Sequence, residues 1–464
     1  MISSRRSVAG HLLLLLLVLG CFEQAHGLPA FARKYGLRCS ACHESWPMLN
    51  YFGQKFKDNG YQLMNDRDAP IWQNPSYWPV TFRITPIWHR VSTGRVAVDE
   101  NGGMNNAETK ISSTGFDLSG LDFHTGGTLE KNFSFYVLPS SDNTATFHFE
   151  TVMGRLDNLF GSSWLNVKLG KFELDNLLSE KRILTLTGNG GIYQTYHFVP
   201  VGDGNIFGQI GDNQLGLEWM GHSADDRTRL SAALISSSDG NVGLITGANS
   251  YTGFFTGSQA FDAGKMGVER VGFYAMVGQA ATMYRTSAGV PIPGSGIGNK
   301  GFSRVGFVGQ FYFGPHFDLQ VVTQHGSDNA WFGQGFGNAT DPSNGTPLND
   351  LPNNTPGTVL PSTARAPSWN GATFEAHYVY SPQLIFIGRY ELERMSQQAT
   401  VGTPSNLGNI SSYTIGYRYN PFMTSRAGFA WHNEYNWLHQ DGTGPQPGQN
   451  VNSSELLIGF DFDF

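Results

Sequence analysis

The 464-residue chain has little charge, few cysteines, and no long hydrophobic run after its first 20 residues. Charged residues make up 14% of it and the net charge is -7, so the basic stripe expected of a nucleic-acid-binding protein is missing. No segment approaches the roughly 20 apolar residues that a transmembrane helix needs. Any insertion into a membrane must therefore use strands.

Glycine and aromatic residues are abundant instead. The chain has 58 glycines, and 13% of its residues are Phe, Trp or Tyr, while overall hydrophobicity is ordinary at 40%. Strands of a membrane barrel alternate apolar and polar residues, so their average hydrophobicity stays moderate although one face is apolar. The composition therefore favours a mainly β protein over a soluble α/β enzyme.

The first 27 residues predict a signal peptide. Arg5 and Arg6 form a basic region, residues 12–19 form a short apolar core, and residues 25–27 form a small-residue cleavage site. Cleavage there would remove Cys21. The alternative is cleavage before Cys21, since residues 18–21 weakly match a lipoprotein cleavage box. The mature chain would then keep two of the three cysteines, which is too few for a disulfide framework.

Those two cysteines belong to Cys39-Ser40-Ala41-Cys42-His43, the C-x-x-C-H pattern of c-type haem attachment. In this chemistry the two thiols form thioethers with the haem vinyl groups, and the adjacent histidine becomes the proximal iron ligand. A structural zinc site would need two further Cys or His ligands nearby, and none lies between residues 43 and 88. The motif therefore predicts one covalent haem c bound by Cys39, Cys42 and His43.

Two short helices are expected to flank the motif. The first covers Pro29 to Tyr35 and ends at Gly36, and the second covers Pro47 to Asp58 with Ser45 as its N-cap and Asn59-Gly60 as its stop. Four residues at i, i+3, i+4 and i+7 give the second helix one apolar face, which could contact haem or pack in a core. They are Leu49, Phe52, Gly53 and Phe56.

The distal iron ligand has more than one candidate. Met64 follows His43 by enough chain to reach the other haem face, so it is the preferred one. Met48 is an alternative close to the motif, and His89 is another within the first predicted strand. A Met/His pair would raise the haem potential relative to two histidines.

The predicted haem segment, residues 28–75, is too short to bury a haem alone. From residue 76 to 464 the chain reads as a transmembrane β-barrel, with segments of about ten residues that alternate in period two. The last strand is the clearest, and it ends on Phe464. It places Leu456, Ile458, Phe460 and Phe462 on one face and Leu457, Gly459, Asp461 and Asp463 on the other.

Connections of alternating length predict about 16 antiparallel strands, with short periplasmic turns and long outer loops. Tight turns are expected at residues 313–316, 380–383 and 419–422, and long loops at 327–367, 397–408 and 438–453. Some acidic side chains should face the lumen, where they would be solvated and could attract Fe(II): Glu375, Glu391, Glu393 and Glu434.

The segment Leu28 to Gly36, the motif Cys39 to His43 and the Phe-terminated barrel together resemble the fused monohaem cytochrome c-porin family, relatives of the outer-membrane iron oxidases. The resemblance covers the architecture, but its specific motif is confined to about residues 28–61. It implies an outer-membrane protein with its haem in the barrel lumen or at the periplasmic mouth. Cys39 and Cys42 match the thioether positions and His43 the proximal ligand.

The resemblance further implies transfer of single electrons from an extracellular donor such as Fe(II) to a periplasmic cytochrome or another carrier, with outer-membrane lipid around the barrel. No nucleic-acid partner is expected, because the charge pattern lacks a basic stripe. The protein would then be an extracellular iron oxidoreductase. Two alternatives remain open: export of electrons to an extracellular acceptor, and a solute porin whose haem segment is a plug.

Overall fold

A computed structural model describes most of the predicted barrel and the motif region. Described are residues 30–45, 48–63, 79–98, 104–141, 146–179, 183–185, 195–196, 210–211, 213–236, 251–281, 299–329, 366, 368–395, 409–424, 427–441 and 450–463. The signal-peptide region and Met64 lie outside these residues. None of the described helices is long and apolar enough to cross a membrane.

Sixteen strands form one closed antiparallel barrel, which confirms the predicted fold class. Each strand pairs with its neighbours in sequence, and the last strand closes the barrel on the first. The strands are β3 Val80–Val98, β4 Met104–Glu130, β5 Phe133–Ser141, β6 Phe147–Leu156, β7 Asn166–Phe172, β8 Gln214–His222, β9 Thr228–Ser236, β10 Tyr251–Asp262, β11 Val268–Ala281, β12 Asn299–Tyr312, β13 Phe317–Asp328, β14 Ser368–Ser381, β15 Leu384–Met395, β16 Ile410–Met423, β17 Gly428–Gln440 and β18 Val451–Asp463.

Alternation along the strands separates an apolar exterior from a polar interior. In β18, Leu457, Gly459, Asp461 and Asp463 are buried inside, whereas the intervening residues point outward, as predicted. Large apolar side chains on the outer face are exposed, among them Phe273 at 58% and Ile415 at 56%. A closed barrel satisfies its backbone hydrogen bonds internally and presents apolar side chains to lipid. These are the features of an outer-membrane barrel.

From β7 onward the connections alternate in length, as predicted, so the barrel has a short-turn end and a long-loop end. Before β7 the alternation fails, because the link from β6 to β7 at the short-turn end is longer than those after β3 and β5. The turns at 313–316 and 380–383 are present, and the gaps after β13, β15 and β17 are long. The turn predicted at 419–422 is wrong: β16 continues to Met423, and its pairing with β17 shifts register between Tyr419 and Phe422. Pro421 lies in this irregularity, where a missing backbone donor is tolerated.

Part of the chain between β7 and β8 folds into the lumen. Thr185 Oγ1 donates to Glu375 Oε2 at 3.1 Å, and the hydroxyls of Thr195 and Thr373 lie 2.9 Å apart. Glu375, with the other predicted lumen acids Glu391, Glu393 and Glu434, is therefore at most 2% exposed. These acids face inward as predicted, but the expectation that they are solvated is wrong.

Residues 30–63 lie inside the short-turn end of the barrel. They form helices α1 Ala30–Tyr35, α2 Cys39–Cys42 and α3 Tyr51–Asp58, with a small hairpin of β1 His43–Ser45 and β2 Met48–Leu49. α1 ends at Gly36, which has φ of 65° and suits a helix stop. Aromatic contacts join α1 to α3, with the Phe31 and Phe56 rings 5.4 Å apart.

The second predicted helix begins later than expected. The hairpin occupies residues 43–49, so Ser45 lies in a strand and Leu49 lies outside the helix. Asn50 is the N-cap instead, because its Oδ1 accepts from Gly53 N at 2.9 Å. The predicted stop at Asn59-Gly60 is confirmed, and Gly53 and Phe56 are buried on the predicted apolar face.

Candidate functional site

The C-x-x-C-H motif forms one helical turn followed by a strand. Cys39 and Cys42 are the two ends of α2, and both carry an unoxidised thiol. Residues three apart on a helix lie on the same side, so the two thiols share one side of the turn. His43 follows immediately and starts β1, where it pairs with Leu49.

The barrel wall holds this turn at its short-turn end. Cys39 donates to the Thr424 carbonyl through its thiol at 3.0 Å and through its backbone N–H at 3.3 Å. On the neighbouring strand Gly428 faces the same thiol, since a Cβ built there would lie 4.0 Å from Cys39 Sγ. Asn420 Nδ2 donates to Ser45 Oγ at 3.0 Å. The motif is therefore fixed against β16 and β17.

Helix α3 supports the motif from its other side. Asn50 N donates to the Cys42 carbonyl at 2.9 Å, and Asn50 Nδ2 donates to the Ala41 carbonyl at 3.0 Å. A Cβ at Gly53 would collide with the Cys42 carbonyl oxygen. Glycine at this position thus allows α3 to lie directly on the backbone of the motif.

Burial sets the protonation of the two thiols. It raises the pKa of Cys39 to about 12, with a smaller contribution from Asp463, and raises the pKa of Cys42 to about 11. Both groups are thiols near neutral pH. Redox-active C-x-x-C pairs have a thiol with a lowered pKa, and this pair lacks one.

Glu44 is an acidic neighbour that the sequence did not single out. Tyr312 OH donates to its Oε1 at 3.0 Å, which ties β1 to β12. Burial, together with the nearby Asp318, raises the pKa of Glu44 to about 7. Asp318 in turn contacts His377 at 2.8 Å, and His377 contacts Glu375 at the same distance. A row of polar side chains thus extends from Glu44 on the segment along the inner wall to Glu375.

A cavity of about 740 Å³ lies between the β2–α3 link and the wall. Its size is in the usual range of ligand pockets. Its lining includes Glu44, Met48 and Phe52 on the segment and Arg270, Tyr312 and Gln320 on the wall, but not Cys39, Cys42 or His43. The cavity therefore borders the segment on the side away from the motif.

Two arginine side chains of the barrel wall bind the end of α3 and Tyr61 just after it. Arg155 Nη2 donates to the Lys57 carbonyl at 2.8 Å, and its guanidinium lies 5.4 Å from the centre of the Tyr61 ring. Arg229 Nη2 is 2.9 Å from Asp58 Oδ2. Arg155 lies on β6 and Arg229 on β9. The segment is therefore bound by these strands in addition to β16 and β17, which hold the motif.

The predicted distal ligands lie in different surroundings. Met48 is 4% exposed, and its sulfur accepts from Gln320 Nε2 at 3.0 Å. His89 lies on β3, where its Nδ1 is 3.8 Å from Glu455 Oε1. Met64 lies outside the described residues. Among the residues that the structure describes, no group of three His, Cys, Asp or Glu side chains could hold another metal ion.

The donor set and its surroundings fit a covalent haem. Two thiols one turn apart and an adjacent imidazole are the groups that this attachment uses. Beside them, the wall carries buried polar atoms without hydrogen-bond partners, Asn420 Oδ1 and Asp463 Oδ1. Native structures rarely leave such atoms unpaired, so this wall suits a bound polar group.

Sequence reasoning missed the wall residues that complete this region. Period-two alternation identifies Arg155, Asn420 and His432 as inward-facing. It gives no information on which part of the chain they meet inside the barrel. The contact between Asn420 and Ser45 joins positions 375 residues apart, and that between Arg155 and Lys57 joins positions 98 residues apart. No local pattern records such pairings.

Comparisons with solved structures find outer-membrane barrels. The chain is similar to OprB of Pseudomonas putida, at 10% identity, covering 83% of this chain and 94% of that one, with a TM-score of 0.47. OmpF of Salmonella typhi is 9% identical, covering 83% of this chain and 97% of that one, with a TM-score of 0.47. The channel DcaP of Acinetobacter baumannii is 10% identical, covering 84% of this chain and 100% of that one, with a TM-score of 0.44. At these values the likeness does not extend to function. No family model and no curated protein matches the chain.

Proposed function

We propose that this chain is an outer-membrane electron-transfer protein, a fused cytochrome c-porin that carries one covalent haem c. Cys39 and Cys42 provide the thioethers and His43 the proximal ligand. Electrons pass from an extracellular donor such as Fe(II) to a periplasmic cytochrome or another carrier. The barrel crosses the membrane, and residues 30–63 occupy its periplasmic end.

The observation that carries the proposal is the position of the motif. Helix α2 is attached to Thr424, in the short connection between β16 and β17. Short turns of bacterial barrels face the periplasm and long loops face outward. A group bound to α2 would therefore lie at the periplasmic mouth, where a soluble carrier can reach it.

The haem, when bound, supplies a one-electron iron couple. The chain supplies everything around that couple: two thiols that fix its position, an imidazole that binds its iron, and a wall that excludes bulk water. Burial of Ser45 at 0% and Cys39 at 7% illustrates this exclusion. Solvent exposure and axial ligands are the means by which a protein adjusts a haem potential.

A plugged solute porin is the second candidate, since a 16-stranded barrel can hold an aqueous channel. The interior of this barrel argues against a wide water-filled channel. Arg389 and Glu391 are at most 4% exposed beneath the segment between β7 and β8, and the short-turn end holds residues 30–63. In a water-filled lumen such charged side chains would be solvated.

The test is reduction of the haem by Fe(II) without oxygen. The protein is produced in a host with c-type cytochrome maturation and purified oxidised from outer membranes. Rapid appearance of the reduced haem spectrum on addition of Fe(II) supports the proposal. His43→Ala should abolish it, whereas His439→Ala, an exposed change at the long-loop end, should not.

Two results would redirect the proposal. A covalent haem that stays oxidised in Fe(II), but is reoxidised by an extracellular acceptor after chemical reduction, indicates electron export. Large ion conductance through a planar bilayer, independent of haem oxidation state, indicates a solute porin.

A further inference from the structure

The cavity beside the β2–α3 link is a second candidate site, separate from the motif. It has a volume of about 740 Å³, and no residue of the motif's C-x-x-C-H pattern except its neighbour Glu44 approaches it. Its lining includes residues of the turns after β10 and β12, among them Lys265, which is exposed, and Pro315. Its wall residues, such as Gln320, face the lumen. The cavity therefore opens at the short-turn end of the barrel, where a solute can enter.

Most of the cavity lining is apolar. Leu49 and Phe52 contribute from the segment, Leu178 from the chain between β7 and β8, and Val268 from β11. Three parts of the fold thus meet around one space. Ligand pockets are typically apolar with a few well-placed polar groups, so an apolar body fits this space.

The charged groups of the lining are mainly basic. They are Arg229, Lys265 and Arg270, against one acid, Glu44, among the lining residues that the structure describes. Glu44 already accepts a hydrogen bond from Tyr312 OH. A cleft lined mainly by one sign of charge concentrates solutes of the opposite sign. The lining therefore favours an anion over a cation.

Arg270 is the buried base that lacks a carboxylate of its own. It is 5% exposed, and its guanidinium donates to the carbonyls of Asp226 and Arg227 and to Ser258 Oγ. The Asp226 Oδ2 atom lies 4.0 Å from Arg270 Nη2 but 2.5 Å from Arg229 Nη2. That carboxylate is therefore bound by Arg229. Buried charges are usually paired, and the guanidinium of Arg270 keeps unused N–H donors for a further partner.

Ser179 gives an independent sign of an absent partner. It lines the same cavity, and its hydroxyl oxygen is buried without a hydrogen-bond partner. Native structures rarely leave such atoms unpaired. Ser179 and Arg270 thus supply hydrogen-bond donors to one cavity from different parts of the chain.

We propose that this cavity binds a small soluble organic anion with an apolar body, such as an aromatic carboxylate. The acid group pairs with Arg270, and Lys265 attracts it to the opening. The apolar body packs against Phe52 and Leu178. The inference does not depend on the haem, because Cys39, Cys42 and His43 do not line the cavity. A ligand that contacts both the segment and the wall binds only the docked segment, so it also stabilises docking.

Isothermal titration calorimetry of the full chain in phosphatidylcholine nanodiscs measures this binding, with empty nanodiscs as the blank. The probe is naphthoate, and naphthalenemethanol is its neutral match. We expect saturable binding of the carboxylate only. Arg270→Gln should weaken it about tenfold or more, because a charged hydrogen bond is lost. Lys265→Glu should weaken it severalfold, because it places an acid at the opening.

The matched control is Arg227→Gln, which should leave the affinity unchanged. Arg227 is 52% exposed on the turn after β8, and it does not line the cavity. Amide hydrogen exchange of α3 gives a second readout. At a naphthoate concentration of about a hundred times the Kd, these amides should exchange roughly 100-fold more slowly.

The other outcomes overturn the inference. Absence of saturable naphthoate binding means that the cavity is not a site for such anions. Equal binding of the alcohol means that the cavity takes apolar solutes without recognising charge. An affinity that is unchanged in Lys265→Glu, or in a folded Arg270→Gln variant, places the anion elsewhere on the protein.

Discussion

Arg155 should stabilise the docking of α3 in the barrel by a measurable amount. The change to test is Arg155→Met, made together with Asp157→Asn because Asp157 is fully buried beside the guanidinium. Leaving that carboxylate unpaired would destabilise the barrel wall itself. The double variant removes the clamp without leaving a buried charge.

The structure gives the size of the effect. Arg155 donates a charged hydrogen bond to the Lys57 carbonyl, which contributes about 1.5–3 kcal/mol. Its guanidinium also lies over the Tyr61 ring, which adds about 0.5–2 kcal/mol. A combined loss of about 2–5 kcal/mol weakens the docked state by roughly 30-fold or more.

Amide hydrogen exchange of α3 measures this loss, because local opening free energies appear in its protection. We expect the amides of Tyr51–Asp58 to exchange faster by that factor, while those of β16 and β17 stay unchanged. The matched control is Arg227→Met, since Arg227 is 52% exposed and its ion-pair partner Asp225 is exposed too. Unchanged protection of α3 in the double variant, or an equal change in the control, would refute the role of the clamp.

Three further changes test other parts of the structure. Gly53→Ala should force α3 off the Cys42 carbonyl and cost about 1–3 kcal/mol, which thermal unfolding followed by haem absorbance will detect. Cys39→Ser and Cys42→Ser should each leave a single thioether, visible as a shifted band in the alkaline pyridine spectrum of the haem, whereas the double change should leave no haem after denaturation. Phe273→Lys should destabilise the folded barrel in lipid by about 2–4 kcal/mol, as measured by urea titration in vesicles. Phe261→Lys, the same change at an exposed position near the strand end, should cost only about 0–1 kcal/mol.

The sequence predicts the barrel well because its signals are local. Strand alternation fixes which residues face lipid, as in β15, where Phe386 is 44% exposed while Arg389 and Glu391 are buried. Turn residues fix where strands end, as at 313–316. The failure at 419–422 has the same origin, since Asn420-Pro421 resembles a turn but the strand accommodates it as an irregularity in pairing.

The start of α3 shows the limit of local signals near the site. Both Ser45 and Asn50 are good N-cap residues, and the sequence does not distinguish them. The choice is made by contacts at a distance: Ser45 is bound by Asn420, and Asn50 is bound to the backbone of the motif. Long-range contacts thus decide a local boundary.

The lumen acids show the same limit for solvation. Alternation correctly directs Glu375 inward, but its environment depends on the segment between β7 and β8, which bonds it through Thr185. A carboxylate in a water-filled lumen and one beneath a folded segment have the same sequence pattern. The strand pattern alone therefore does not predict whether Glu375 attracts Fe(II).

The proposed haem site is divided between near and distant parts of the chain. Cys39, Cys42 and His43 form a local motif, so the sequence alone identifies them. The wall that encloses them comes from β16 to β18, and the bond from Cys39 to Thr424 spans 385 residues. A segment of this size buries too little surface to hold a haem by itself. The residues proposed to attach it can therefore be identified locally, whereas the wall beside them depends on the closed barrel.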